Sequence, residues 1–101
     1  MKTFIIDGNN FSNMEEFYDE IEKVFTSNLT WRTGHNLDAF NDLLRGSFGK
    51  HEYAEPIRIK WIHFNKSRKD FDSKTLLTLL EIILDCDNSM HDCKLELYDT
   101  I

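Results

Sequence analysis

The sequence has few of the residues that break or staple a chain. One proline and four glycines stand among 101 residues, which excludes a collagen-like or low-complexity polymer. There are two cysteines, Cys86 and Cys93. They are too few for a disulfide scaffold, and with no export signal they read as thiols of a reduced, cytoplasmic protein, although a bond between them stays open. No stretch approaches the ~20 apolar residues of a membrane span. The apolar run at Thr3–Ile6 is also far shorter than the ~7–15 residues of a signal-peptide core. Cations are scarce too: 12 Lys and Arg against 18 Asp and Glu leave a net charge of −6. A chain with that balance is a poor binder of phosphate backbones, so no direct contact with nucleic acid is expected. It suits a basic partner instead, because complementary charge speeds and orients encounter.

What is present points to an ordered core. The chain is 41% hydrophobic and 13% aromatic, which argues against disorder. Its length fits one domain over residues 1–101, large enough to stand without metal, cofactor or disulfide and expected to be a monomer when free. Thr3–Ile6 is a short unbroken apolar run closed by Asp7-Gly8-Asn9-Asn10, which is turn chemistry, so it reads as a strand. Ser12-Asn13-Met14-Glu15 has the form of a capping box. Met14, Phe17, Tyr18, Ile21, Val24 and Phe25 then recur at helical spacing, giving a helix over 13–26. Glu15, Glu16, Asp19, Glu20 and Lys23 fill its other, solvated face.

Residues 27–34 form a loop carrying Trp31 and Arg32, followed by a short helix between Gly34 and Gly46. A second loop covers 47–55. Ile57–Trp61 alternates apolar and polar residues and reads as a half-exposed strand. His63–Asp72 is ambiguous between helix and loop. Residues 73–86 form an apolar-rich helix, 87–92 a turn, and Cys93–Tyr98 a last alternating strand. Strands separated by helices are most simply parallel, joined by right-handed crossovers. The fold class is therefore α/β, a three-stranded parallel sheet flanked by helices. The first strand lacks a polar face, which places it in the middle, with the two alternating strands at the edges.

The short helix carries the functional argument. At about 100° per residue, Asp38 and Asp42 lie about 40° apart on its surface. Arg45 falls about 20° to one side, and Asn41 and His35 within about 60° on either flank. Leu37, Phe40, Leu43 and Leu44 take the opposite arc. The helix thus offers a rigid polar stripe. The loops around it hold large groups: Trp31 and Arg32 before, Phe48, His51 and Tyr53 after. On most helices such a stripe is only solvated surface. Aromatic-bearing loops around a rigid platform are, however, where binding concentrates.

Gly34-His35-Asn36-Leu37-Asp38-Ala39-Phe40-Asn41-Asp42-Leu43-Leu44-Arg45-Gly46 resembles the G-x-N-L-D-A-x-x-D-x-L-x-G segment of the barstar family, intracellular inhibitors of a secreted basic ribonuclease. Element order and length agree across nearly the whole chain. The resemblance implies a three-stranded parallel sheet with flanking helices, and inhibition by plugging. The carboxylate at the second motif aspartate, Asp42, would enter the nuclease's phosphate site, Asp38 would also face the enzyme, and Gly46 would add backbone contact. It further implies a contribution from an acidic residue of the last helix, Glu81 or Asp85. The chain departs from the family at the rim. Arg32 and Thr33 replace a tyrosine pair, Asn41 replaces a tryptophan, and Ser47 with Phe48 next to it replaces the tryptophan after the closing glycine. Arg45 adds a positive charge that either repels a basic partner or pairs with Asp42. The candidate binding residues are therefore Trp31, Arg32, His35, Asp38, Asn41, Asp42, Arg45, Gly46, Ser47 and Phe48, and the expected partner is a basic extracellular-type ribonuclease or toxin nuclease.

Two other classes compete. Asp38 and Asp42, with His35 beside them, have the spacing of an acid/base pair, yet nothing in the sequence buries one and not the other to split their pKa values. No nucleophile motif or Gly-rich phosphate loop accompanies them. Cys86, His91 and Cys93 lack the C-x-x-C spacing of a metal site and a fourth ligand. Lys66-Ser67-Arg68-Lys69 is a small basic cluster that reads as a solvated turn. The remaining alternative is a barstar-like fold serving as an immunity or interaction module for a partner that is not a ribonuclease.

Overall fold

The computed structural model describes residues 1–27, 29, 31–85 and 91–99. In chain order it contains β1 (Lys2–Asp7), α1 (Met14–Phe25), α2 (Leu37–Arg45), β2 (Ile57–Ile62), α3 (Phe64–Asp70), α4 (Ser73–Leu84) and β3 (Cys93–Leu97). A single 3-10 turn at Gly8–Asn10 leads out of β1. The ambiguous segment after β2 is helical, and β3 ends one residue before the expected Tyr98. Cys86 and most of the expected 87–92 turn lie outside the described residues.

The three strands are parallel, as expected, but their order is β1-β2-β3. The central strand is therefore β2, not the first strand, and the expected placement is corrected. The reason is that only one face of the sheet is buried. Phe4 and Ile6, Ile57, Ile59 and Trp61, and Cys93 point into the core. Ile5, in the middle of the unbroken apolar run, is half exposed on the opposite face. Arg58 and Lys60 lie on that open face without leaving the central strand, and Arg58 pairs across the ladder with Glu96 of β3 at 3.1 Å. In a sheet open on one side, alternation marks the two faces and says nothing about edge or centre.

Helix α1 begins one residue later than the expected box. Asn13 is the N-cap, its side chain accepting from the Glu16 amide at 2.9 Å, and Glu16 reaches back to accept from the Ser12 amide at 2.8 Å. The box is therefore Asn13–Glu16, with an amide oxygen in the hydroxyl's role. Helix α4 is capped by Asp72, which accepts from the Thr75 amide. The basic cluster of α3 is partly structural. Lys66 donates to the Phe11 carbonyl, the Ser12 hydroxyl and Asp70, and the buried Ser67 hydroxyl accepts from the Trp61 indole at 3.1 Å.

An aromatic core ties the helices to the sheet. Phe17 of α1 stacks on Trp61 with centroids 5.8 Å apart and meets Phe40 of α2 edge-on at 5.3 Å. Phe40, Leu43 and Leu44 are fully buried. Each such side chain contributes about 1.5–3 kcal/mol on burial, so three of them fix the short α2 in place although nine residues alone would not hold a helix.

Candidate partner-binding site

Helix α2 is positioned at both ends. Its N-cap is Asn36, whose side chain accepts from the Ala39 amide at 2.8 Å, and Asp38 sits in the first turn, favourably to the helix dipole. It stops at Gly46, as the sequence indicates. There φ is +101°, and a Cβ would fall 2.3 Å from the Glu52 carbonyl oxygen and 2.9 Å from His51 Cδ2. Only glycine fits both the conformation and the space. The chain then folds back over the helix end. The Ala54 amide donates to the Arg45 carbonyl, the buried His51 donates from Nε2 to the Leu44 carbonyl at 3.0 Å, and the Ser47 amide donates to the His51 carbonyl. Gly46 itself is buried, and its N–H donates to the Asp42 carbonyl at 3.3 Å.

On the outer side stand Asp38 and Asp42, both exposed. Arg45, one turn on, donates to the Asp42 carboxylate, so the expected pairing of that residue with Asp42 is formed. The Asp42 side chain keeps 53% of its surface exposed and Arg45 keeps 31%, so the pair stands at the surface. Asn41 is half buried, and its side-chain oxygen is buried without a hydrogen-bond partner, so it contributes less to the outer face than the spacing indicates.

His35 is not on that stripe at all. The helix starts at Leu37, and His35 turns back to α1, so the five-residue face reduces to Asp38, Asp42, Arg45 and the edge of Asn41. His35 Nδ1 donates to Glu15 at 2.8 Å. Its Nε2 accepts from Arg32 at 3.2 Å, and Arg32 donates to Asp19 at 2.7 Å. The His35 ring also faces Tyr18 at 5.5 Å. Thr33, next along, gives both its amide (2.9 Å) and its hydroxyl (2.6 Å) to Glu22 Oε2. Burial pushes the Glu22 carboxyl up, but these two bonds with Arg32 and His35 outweigh it and hold it below its ordinary value. The expectation that the acids of the first helix are mere solvation is therefore corrected for Glu15 and Asp19. A further acid of that face, Glu20, is buried and accepts from the Asp7 amide, Asn10 and Lys23. Sequence reasoning missed Glu22 and Thr33. The available signal was the i, i+4, i+7 spacing of Glu15, Asp19 and Glu22 ahead of a loop carrying Arg32 and His35.

The two aromatic loops meet. Trp31, 56% exposed, lies edge-on to Phe48 with centroids 6.1 Å apart, and Phe48 packs partly into the core. The Phe48 carbonyl accepts from the Ser27 amide, and Thr26 bridges to Gly49. Ser47 is exposed, with φ at +75°. Of the two acids considered on the last helix, Glu81 and Asp85 are both exposed. Asp85 shares with Arg45 the electrostatic surroundings of the buried His91. Burial pushes the His91 imidazole below its ordinary value, and nearby Arg45 adds to this against the opposing Ile82 carbonyl, Asp85 and Asp92.

Chemically, the exposed carboxylates of Asp38 and Asp42 can accept from cationic or N–H donors of a partner. Two exposed carboxylates on one convex helix lack the unequal burial that splits an acid/base pair. Among the described residues no group of three His, Cys, Asp or Glu side chains stands close enough to hold a metal ion. None of their helices is long and apolar enough to cross a membrane. The Cys93 sulfur is buried, 3.5 Å from His91 Nδ1. No curated protein matches the chain closely enough to count as a relative. The family model described as Barstar (barnase inhibitor) matches residues 1–98, nearly the full length, and spans every element described above. The chain belongs to the barstar family.

Proposed function

We propose that the protein inhibits a basic ribonuclease by presenting Asp38 and Asp42 of α2 to the cationic site where that enzyme holds RNA phosphate. It has no catalytic turnover of its own. It acts inside the cell as the immunity protein or antitoxin against a nuclease of the same cell. The observation that carries the reading is an exposed pair of carboxylates on a helix fixed by three buried side chains and two built caps, in a chain of the barstar family. A carboxylate held rigidly mimics phosphate without an ordering cost at binding. Close interfacial charge pairs are worth about 1.5–7 kcal/mol of coupling, a range whose reference case is the inhibitor complex of this same family. Trp31 against Phe48 supplies the large, stiff contact area that anchors such interfaces.

The test is inhibition. Barnase cleaving RNA is titrated with the purified chain, and the expected result is loss of cleavage at a stoichiometric ratio. Salt should slow the association, because steering between exposed charges is screened. Cleavage that continues at excess chain contradicts the reading. One observation favours a second one. Asp42 is already bonded to Arg45, and the aromatic rim is rewritten, so the same face also suits a partner of mixed charge that is not a ribonuclease. Capture of such a partner through Asp42, with no effect on RNA cleavage, would select that alternative.

A further inference from the structure

Residues 31–36 lead directly into the proposed binding face, yet none of them belongs to the apolar core. Trp31 and Arg32 are exposed, and the loop's one buried side chain, Thr33, is polar. Trp31 touches Phe48 and Asn36 caps α2, while the polar side chains between them, Arg32, Thr33 and His35, all bond to one helix, α1. Glu15, Asp19 and Glu22 lie on a single stripe of α1, within about 60° of one another. They accept from His35, Arg32 and Thr33 at 2.6–2.9 Å. The Arg32 guanidinium is thereby paired with Asp19 inside the molecule.

We infer that Glu15, Asp19 and Glu22 are positioning residues for partner binding: they latch the Trp31–Asn36 loop to α1 and so hold Trp31 and the cap of α2 in the geometry a partner meets. They touch no partner themselves. Their contribution is to remove, before binding, the freedom that the loop would otherwise lose in the complex. The role in binding rests on the proposed inhibition; the ordering of the loop does not.

Thr33 offers a clean test. Thr33→Val keeps the shape and removes the hydroxyl given to Glu22, whereas Thr33→Ser keeps the hydroxyl. A Glu22→Leu variant removes the acceptor outright. Trp31 reports on the loop, because the other tryptophan, Trp61, is fully buried in the core. Thr33→Val and Glu22→Leu should unfold cooperatively, with lower Trp31 fluorescence anisotropy and easier acrylamide quenching. They should inhibit barnase about tenfold less tightly per folded molecule, mainly through faster dissociation. Thr33→Ser should match the wild type in all three readouts. An unchanged Trp31 signal in both disruptive variants overturns the latch. A freed Trp31 with unchanged inhibition overturns its role in binding. A wild-type chain that leaves barnase active overturns the proposed function instead, and the Trp31 signal then decides the latch by itself.

Discussion

The molecule carries two acidic stripes that read alike in sequence and are used in opposite ways. Glu15, Asp19 and Glu22 on α1 are satisfied internally by His35, Arg32 and Thr33 in turn. Asp38 and Asp42 on α2 face outward, and Arg45 of the same helix bonds Asp42. The difference lies in the segment that succeeds each helix. The first helix leads into a loop with its own donors, which folds back onto the stripe. The second ends at a glycine whose chain returns to the helix terminus and not to its outer face. Under the proposed reading, the stripe left facing outward is the one that meets the partner.

That contrast can be broken in several places. Phe40→Ala should do the most damage, because Phe40 joins the helices of both stripes through Phe17. A loss of about 3–5 kcal/mol is expected in denaturant unfolding. A loss under about 1 kcal/mol would mean that α2 is held by something other than its buried face. Gly46→Ala should come next, at about 1–3 kcal/mol, from the positive φ and the carbonyl in the way of a Cβ. Chemical denaturation checks it, and a neutral result would show that the helix end relaxes freely.

Acid should separate the stripes more gently. The folded Glu22 carboxyl lies below its ordinary value, so the unfolded chain takes up that proton first. The stability due to Glu22 is thus complete above the ordinary carboxylate range and is lost as pH falls through the folded value. The buried His91 is also depressed, so its contribution falls earlier, as pH drops below the ordinary 6.5. A melting-temperature profile against pH should show both declines. His91→Gln should abolish the earlier one and Glu22→Gln should lessen the later, to which the depressed carboxyls of Glu55 and Asp72 also contribute. The smallest effect is expected of Arg45→Ala, which releases Asp42 from its internal cation. Inhibition of barnase should tighten by up to about 1 kcal/mol, seen mostly as a faster association rate. Weaker inhibition would assign Arg45 a contact of its own with the partner.

Much of this was legible in the sequence. The strands, the stop of α2 at Gly46 and the exposure of Asp38 and Asp42 come from local pattern, because periodicity and turn chemistry act over a few residues. Sheet order did not. The apolar Ile5 lies on an open face and the charged Arg58 on the central strand, and neither choice is made locally. His35 was misplaced for a similar reason. Helical projection assigned it to the stripe, but Asn36 caps the helix after it, and its partner lies 20 residues back on α1. The latch through Glu22 and Thr33 is a contact between elements, visible in sequence only as complementary charge at a suitable spacing.

The central claim is that Asp42 serves a partner and not the fold. The direct measurement is Asp42→Ala in two assays on the same preparation, unfolding free energy and affinity for barnase per folded molecule. The account predicts stability within about 0.5 kcal/mol of the wild type and an affinity loss of at least about 2 kcal/mol, roughly 30-fold. Loss of folding with affinity intact in the folded fraction would contradict it.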